Sequence, residues 1–134
     1  MKEYADVYKT PGAFSWTELL TSDPQAASAF YGKLFGWKFD EMNMGGDGGP
    51  YRVAKVGDTA IGGIMKTPAP AVGMPPMWGV YVTVTDIEAT LKQAAALGGK
   101  VVAPVMDVPN VGRFAVLADP QGATINVMQY SMPG

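Results

Sequence analysis

Along this chain, stretches in which apolar and polar residues alternate with a period of two give way to stretches with the 3.6-residue period of a helix, in an order that repeats. From Phe14 the run "FSWTELLT" reads as a strand; "SDPQAASAFYGKLFGW" after it reads as a helix with Ala27, Phe30, Tyr31 and Leu34 on one side. The same succession returns in "MWGVYVTV" and "TDIEATLKQAAALGG", where Ile87, Leu91, Ala94 and Ala95 share a side. Placing Asp23 over Asp86 aligns the two segments without a gap, Leu34 meeting Leu97 and Gly36 meeting Gly99. Both helix starts, "SDPQ" and "TDIE", have the Ser/Thr-x-x-Gln/Glu form in which a hydroxyl and a carboxyl or amide side chain satisfy unpaired backbone N–H groups. Pro24 adds a preset φ to the first turn of helix one. A β-rich tail with a hairpin follows each helix, and Gly57-Asp58 and Asp119-Pro120-Gln121-Gly122 supply the turns.

Each half therefore predicts β-α-β-β-β. The expected architecture is α+β: one domain over 1–134 built of two tandem βαβββ modules, about 12–66 and about 77–130, that form a curved, cup-like, mainly antiparallel sheet. A proline-rich connector, "KTPAPAVGMPPM", separates them at about 67–76. The segment "NMGGDGGP" inside the first half predicts a loop. Its "GGDGGP" lacks the strand before, the helix after and the Lys-Ser/Thr of a phosphate loop, which removes it as an anion site. The arm Met1–Gly12 is expected to be loose or to cross to a partner subunit.

Strand periodicity also sorts the faces. Val80, Val82 and Val84 suit the helix side, which leaves Gly79, Tyr81 and Thr83 on the concave side. By the repeat, Thr17, Leu19 and Thr21 go under the helix, whereas Trp16, Glu18 and Leu20 face the concavity. In the last strand Ile125 and Val127 belong to the helix side, opposite Thr124, Asn126 and Met128. Trp16, Glu18, Tyr81, Asn126 and Met128 are thus expected to converge on an apolar hollow with a few polar groups, the usual make-up of a small-molecule site.

Composition changes this picture mainly by exclusion. The 134 residues carry ten basic and twelve acidic side chains and no basic block, so nucleic acid is not an expected partner. No apolar run approaches bilayer length and "MKEYADVYKTPG" has no signal-peptide core; the expectation is a soluble, cytoplasmic protein with no membrane partner. Absence of cysteine removes disulfides, thiolate nucleophiles and sulfur-held zinc or iron–sulfur clusters. Absence of histidine removes the commonest base near neutral pH and the commonest transition-metal ligand. No cofactor is expected.

The pieces "WTELLTSDPQAASAFYGKLFGWKF", "AIGGIM", "YVTVTDIEATLKQAAALGGKVVAP" and "FAVLADPQGATINVMQ" resemble the glyoxalase/bleomycin-resistance/dioxygenase superfamily, the vicinal oxygen chelate proteins. "AFYGKLFGW" and "DPQGATINV" are the most specific of them, and the likeness covers nearly the whole chain after residue 12. It implies paired βαβββ modules in an open sheet and assembly as a homodimer. In metal-dependent members a His, Glu or Gln stands at one position in each of four strands. Those positions fall here on Trp16, on Gly62 or Gly63, on Gly79 and on Asn126. Neither indole nor glycine offers a suitable lone pair and an amide is a weak ligand, so the resemblance implies a scaffold whose metal site is lost. Isomerisation and ring cleavage of the kind that needs a metal fall into doubt with it.

Glu18 is the sharpest candidate, because a carboxylate on an inner strand face is costly unless bonded, and desolvation would move it toward the range of a general base. The alternative is an ion pair with Arg52 or Arg113. Trp16 and Tyr81 could stack a planar ligand or simply fill core; Asn126 could orient a ligand oxygen or bond a neighbouring backbone; Met128 lines the same face. Nine methionines, among them Met42, Met44, Met65, Met74 and Met77 near loops, suit irregular core gaps more than an adaptable binding surface. The resulting expectation is metal-independent binding of a small molecule in the concave cup. The alternative is a lyase or isomerase using Glu18 as acid and base on a small oxygenated metabolite, with Asn126 or Tyr81 positioning it.

Overall fold

The computed structural model describes residues 6–42, 50–68 and 74–131. The predicted element order is observed: β1 (Phe14–Thr21), α1 (Pro24–Phe35), β2 (Lys38–Met42), β3 (Tyr51–Val56) and β4 (Thr59–Lys66), then β5 (Met77–Thr83), α2 (Ile87–Ala96), β6 (Lys100–Val108), β7 (Gly112–Ala118) and β8 (Thr124–Tyr130). A short 3-10 turn at Val7–Lys9 precedes them. The fold is α+β, two βαβββ modules in succession. Most of the segment "NMGGDGGP", the centre of the connector and the start of the N-terminal arm lie outside the described residues.

The backbone divides into two compact units, Trp16–Gly79, and Met1–Ser15 with Val80–Gly134. Within the first the strand order is β2-β3-β4-β1; within the second it is β5-β8-β7-β6. In each, the opening strand lies parallel to the fourth and the others are antiparallel, so the sheets are mainly antiparallel. Strand registers reproduce the sequence repeat. Glu18 pairs with Gly63 and Leu19 with Ile64 in the first unit, while Tyr81 pairs with Asn126 and Val82 with Val127, each 63 positions later, in the second.

Helix starts differ from expectation by one residue. Asp23 and Asp86, rather than Ser22 and Thr85, are the caps; their carboxylates accept from the backbone N–H of Ala26 and Ala89 at 3.0 and 3.2 Å. The aspartates win because a charged oxygen is also favoured at the positive end of the helix dipole. Gly36 closes α1 in the left-handed conformation at φ 75°, a geometry that costs a side chain dearly.

The core of the second unit is α2 on its sheet: Ile87, Ala115, Leu117 and Val127 are buried, with Val84, Leu91, Ala94, Val105 and Ile125 packed on them. That assigns Val84, Ile125 and Val127 to the helix side, as their alternation predicts. In the first unit Leu19, Ala54 and Ile64 are buried. Its helix corrects the predicted stripe: Phe30 and Leu34 are exposed, and Ser28 is buried instead, its hydroxyl donating back to the Pro24 carbonyl at 2.7 Å.

Candidate functional site

In the first unit, Trp16 and Glu18 lie on the same face of β1, two residues apart. Tyr51 opens β3, two strands away, and its ring reaches Glu18 by lying over Gly63, the residue that pairs with Glu18; a Cβ at that glycine would collide with the phenol. The Trp16 indole N–H donates to the Tyr51 hydroxyl at 2.8 Å, and that hydroxyl donates to Glu18 Oε2 at 2.8 Å. An indole nitrogen can only donate, so the phenol is the acceptor in the first bond and its own proton goes to the carboxylate. All three side chains are half-buried. The result is a fixed acceptor: Oε2 of Glu18 is held by a donor and oriented by a relay.

Sequence reasoning missed Tyr51, although a signal existed. It lies 63 positions before Phe114, so extending the repeat to the hairpin strands places it beside Glu18 as Phe114 lies beside Tyr81. The two arginines considered as partners are engaged elsewhere. Arg52 pairs with Glu41 at 3.0 Å, and Arg113 with Glu88 at 2.8 Å and Asp107 at 3.3 Å. These carboxylates raise the Arg113 pKa, the hydrogen bond to Glu88 most of all.

Tyr81, Asn126 and Met128 come together in the second unit. Tyr81 and Asn126 face one another across β5 and β8, Met128 is the next residue on that face, and the Phe114 ring meets Tyr81 edge-on at 6.1 Å. Tyr81 and Met128 are buried, at 5% and 7% exposure, whereas Asn126 is half-buried. The five expected residues thus form two sets, Trp16 with Glu18 and Tyr81 with Asn126 and Met128, each inside its own unit.

At the four positions that hold metal in metal-dependent members, the donors do not fit an ion. Trp16 presents an N–H that Tyr51 accepts, Gly62, Gly63 and Gly79 have no side chain, and Asn126 offers one amide. Among the described residues, no three His, Cys, Asp or Glu side chains are grouped as a metal would require. Nor is any helix among them long and apolar enough to cross a membrane.

Comparison with known proteins agrees with the fold. The chain is 46% identical over 125 residues to the Mycobacterium tuberculosis protein named "Putative glyoxylase CFP32", covering 93% of this chain and 47% of that protein. It is 35% identical over 129 residues to the anthracycline biosynthesis protein DnrV of Streptomyces peucetius, covering 87% of this chain and 46% of that one. The chain therefore spans about half the length of these relatives. Among solved structures, methylmalonyl-CoA epimerase from Mycobacterium tuberculosis superposes with a TM-score of 0.65 at 14% identity, over 97% of this chain and 93% of that one. A hypothetical protein from Bacillus halodurans C-125 reaches 0.70 at 10% identity, over 92% and 97%. At such identities the likeness is one of fold. A family model described as Glyoxalase/Bleomycin resistance protein/Dioxygenase superfamily matches residues 13–127, and the chain belongs to that superfamily.

Proposed function

We propose that this protein binds a small, partly aromatic organic molecule without a metal, on the helix-free face of the first unit, with Glu18 as its polar anchor. The observation that carries this reading is the Trp16–Tyr51–Glu18 relay, with both of its bonds at 2.8 Å. A carboxylate oxygen that already accepts a phenolic proton is suited to hold a ligand N–H or O–H in a fixed direction. The Trp16 ring beside it offers a flat surface on which a planar ligand can stack. Within the second unit, Asn126 with Tyr81 and Met128 is a candidate ligand-binding set of its own, read separately from the Glu18 site. Binding without a metal is supported by the donors at the four metal positions, which have no use for an ion. The homodimer that the family resemblance implies is part of the proposal, and sedimentation reads it directly.

A thermal-shift screen of small hydroxy-aromatic, amino-aromatic and dicarbonyl compounds, on wild type and Glu18→Gln, tests the reading. Selective stabilisation that Glu18→Gln weakens, with no turnover in either protein, is the expected result. Turnover by wild type that Glu18→Gln abolishes with affinity intact would replace binding by acid–base catalysis at Glu18. Equal stabilisation of both proteins would remove Glu18 from the site.

A further inference from the structure

On the other face of the same sheet lies a cleft of about 160 Å³, lined by Thr17, Trp37, Ala54, Ile61, Gly62 and Trp78. Its side of the sheet follows from register. Phe39, which packs near Gly32 of α1, pairs with Ala54, and Ala54 pairs with Gly62, whereas Gly63 is the partner of Glu18. We propose that this cleft is a second binding site, for a small molecule bearing a single aromatic ring.

The internal repeat supplies the argument. Advancing the floor residues Thr17, Ala54 and Gly62 by 63 positions gives Val80, Leu117 and Ile125. In the second unit Leu117 and Ile125 fill the core under α2. The fold therefore accommodates a leucine and an isoleucine at two positions where the first unit carries an alanine and a glycine, and a hole of side-chain size remains. Gly62 cannot refill it, because a Cβ there would lie 2.6 Å from the Thr17 carbonyl oxygen. The walls are built. Trp37 and Trp78 stand nearly perpendicular, at 84° with centroids 6.2 Å apart, and the Trp78 indole is tied to the Tyr31 hydroxyl at 3.2 Å. Trp78 and Ile61, both partly open to solvent, form the mouth. Two perpendicular indoles offer an incoming ring a face and an edge at once. An apolar cavity of about 150 Å³ accepts benzene, so the volume suits a single ring.

Benzene titrated into the full chain, followed by the indole N–H resonances in heteronuclear NMR, tests this. The Trp37 and Trp78 signals should move together and saturate. Ala54→Leu, which copies the second unit, should weaken the effect about tenfold or more; Thr17→Leu fills the same space from an exposed position if Ala54→Leu misfolds. Glu18→Gln should leave it unchanged, which keeps this result separate from that of the Glu18 site. Movement of Trp16 alone, no saturable movement of Trp37 and Trp78, or full binding in a folded filled variant would overturn the proposal. Signals of Trp37 and Trp78 that shift with protein concentration instead of benzene would assign the cleft to a contact between copies, and would also overturn it.

Discussion

The two modules share one chain path and one register, yet the first unit is hollow and polar where the second is filled and apolar. At matching positions, 63 residues apart, Arg52 stands for Ala115, Ala54 for Leu117, Gly62 for Ile125 and Glu18 for Tyr81. Ala115 and Leu117 lie in the α2 core, Ala115 with no exposure at all. Arg52 in its place pairs through one guanidinium nitrogen with Glu41 and leaves Nε buried without a partner among the described residues. The lesson is a division of labour within a duplicated unit: one copy carries the packing, and the other gives up packing for polar groups and space.

The two units should differ most in their cores. Ile87→Ala removes a fully buried side chain from the second unit and should cost about 2–5 kcal/mol in chemical denaturation. Phe30→Ala on α1, at a site 60% exposed, should change stability by no more than about 0.5 kcal/mol. Similar losses from the two would mean that the first helix is packed as tightly as the second.

Next is Tyr51→Phe, which converts the first unit to the residue type of the second. It removes the acceptor of the Trp16 indole and a donor to Glu18, and should cost about 1–2 kcal/mol. A thermally silent variant would reduce the relay to an ornament. Arg52→Met should be neutral or stabilising by up to about 1 kcal/mol, since a mostly buried guanidinium with an orphaned nitrogen contributes little beyond its Glu41 contact. A clear loss of stability would show that the arginine does more than the comparison allows.

The gentlest test uses pH. Tyr8 and Tyr130, whose rings meet edge-on at 5.0 Å, both belong to the second unit and have pKa values raised above 10. Burial is the main cause in each; Asp6 adds to it for Tyr8, and for Tyr130 the Ser15 hydrogen bond opposes it while Tyr8 reinforces it. The folded state therefore favours the neutral phenols. Their contribution is complete below pH 10, where the unfolded phenols are also neutral, and is lost as pH rises through the higher folded values. Denaturation midpoints should fall above pH 10, and less so in Tyr8→Phe.

How far the sequence reached follows the same division. Element order and the faces of Ile125 and Val127 were legible, because capping residues, hairpin turns and period-two alternation act locally and occur twice; the parallel pairing of opening and fourth strands was not, since it is a long-range contact that no local pattern marks. The buried Ser28 was hidden because its hydroxyl satisfies itself within the helix, against the hydrophobic pattern. Tyr51 was marked in the sequence only by its repeat partner Phe114. Its reach to Glu18 exists only because Gly63, on the strand between, has no side chain, and a period along one strand does not report what its neighbour leaves empty. The cleft beside Trp37 and Trp78 was hidden in the same way: it is an absence shared by three strands.

The proposal of metal-free ligand binding in the first unit stands or falls on Glu18. Its most direct test is calorimetric titration of the strongest stabilising compound into chelator-treated wild type, Glu18→Gln and Ala54→Leu. Undiminished affinity is expected in chelated wild type and in Ala54→Leu, with a loss of about tenfold or more in Glu18→Gln. Binding that vanishes on chelation and returns with a divalent metal, or that is indifferent to Glu18→Gln, would contradict it.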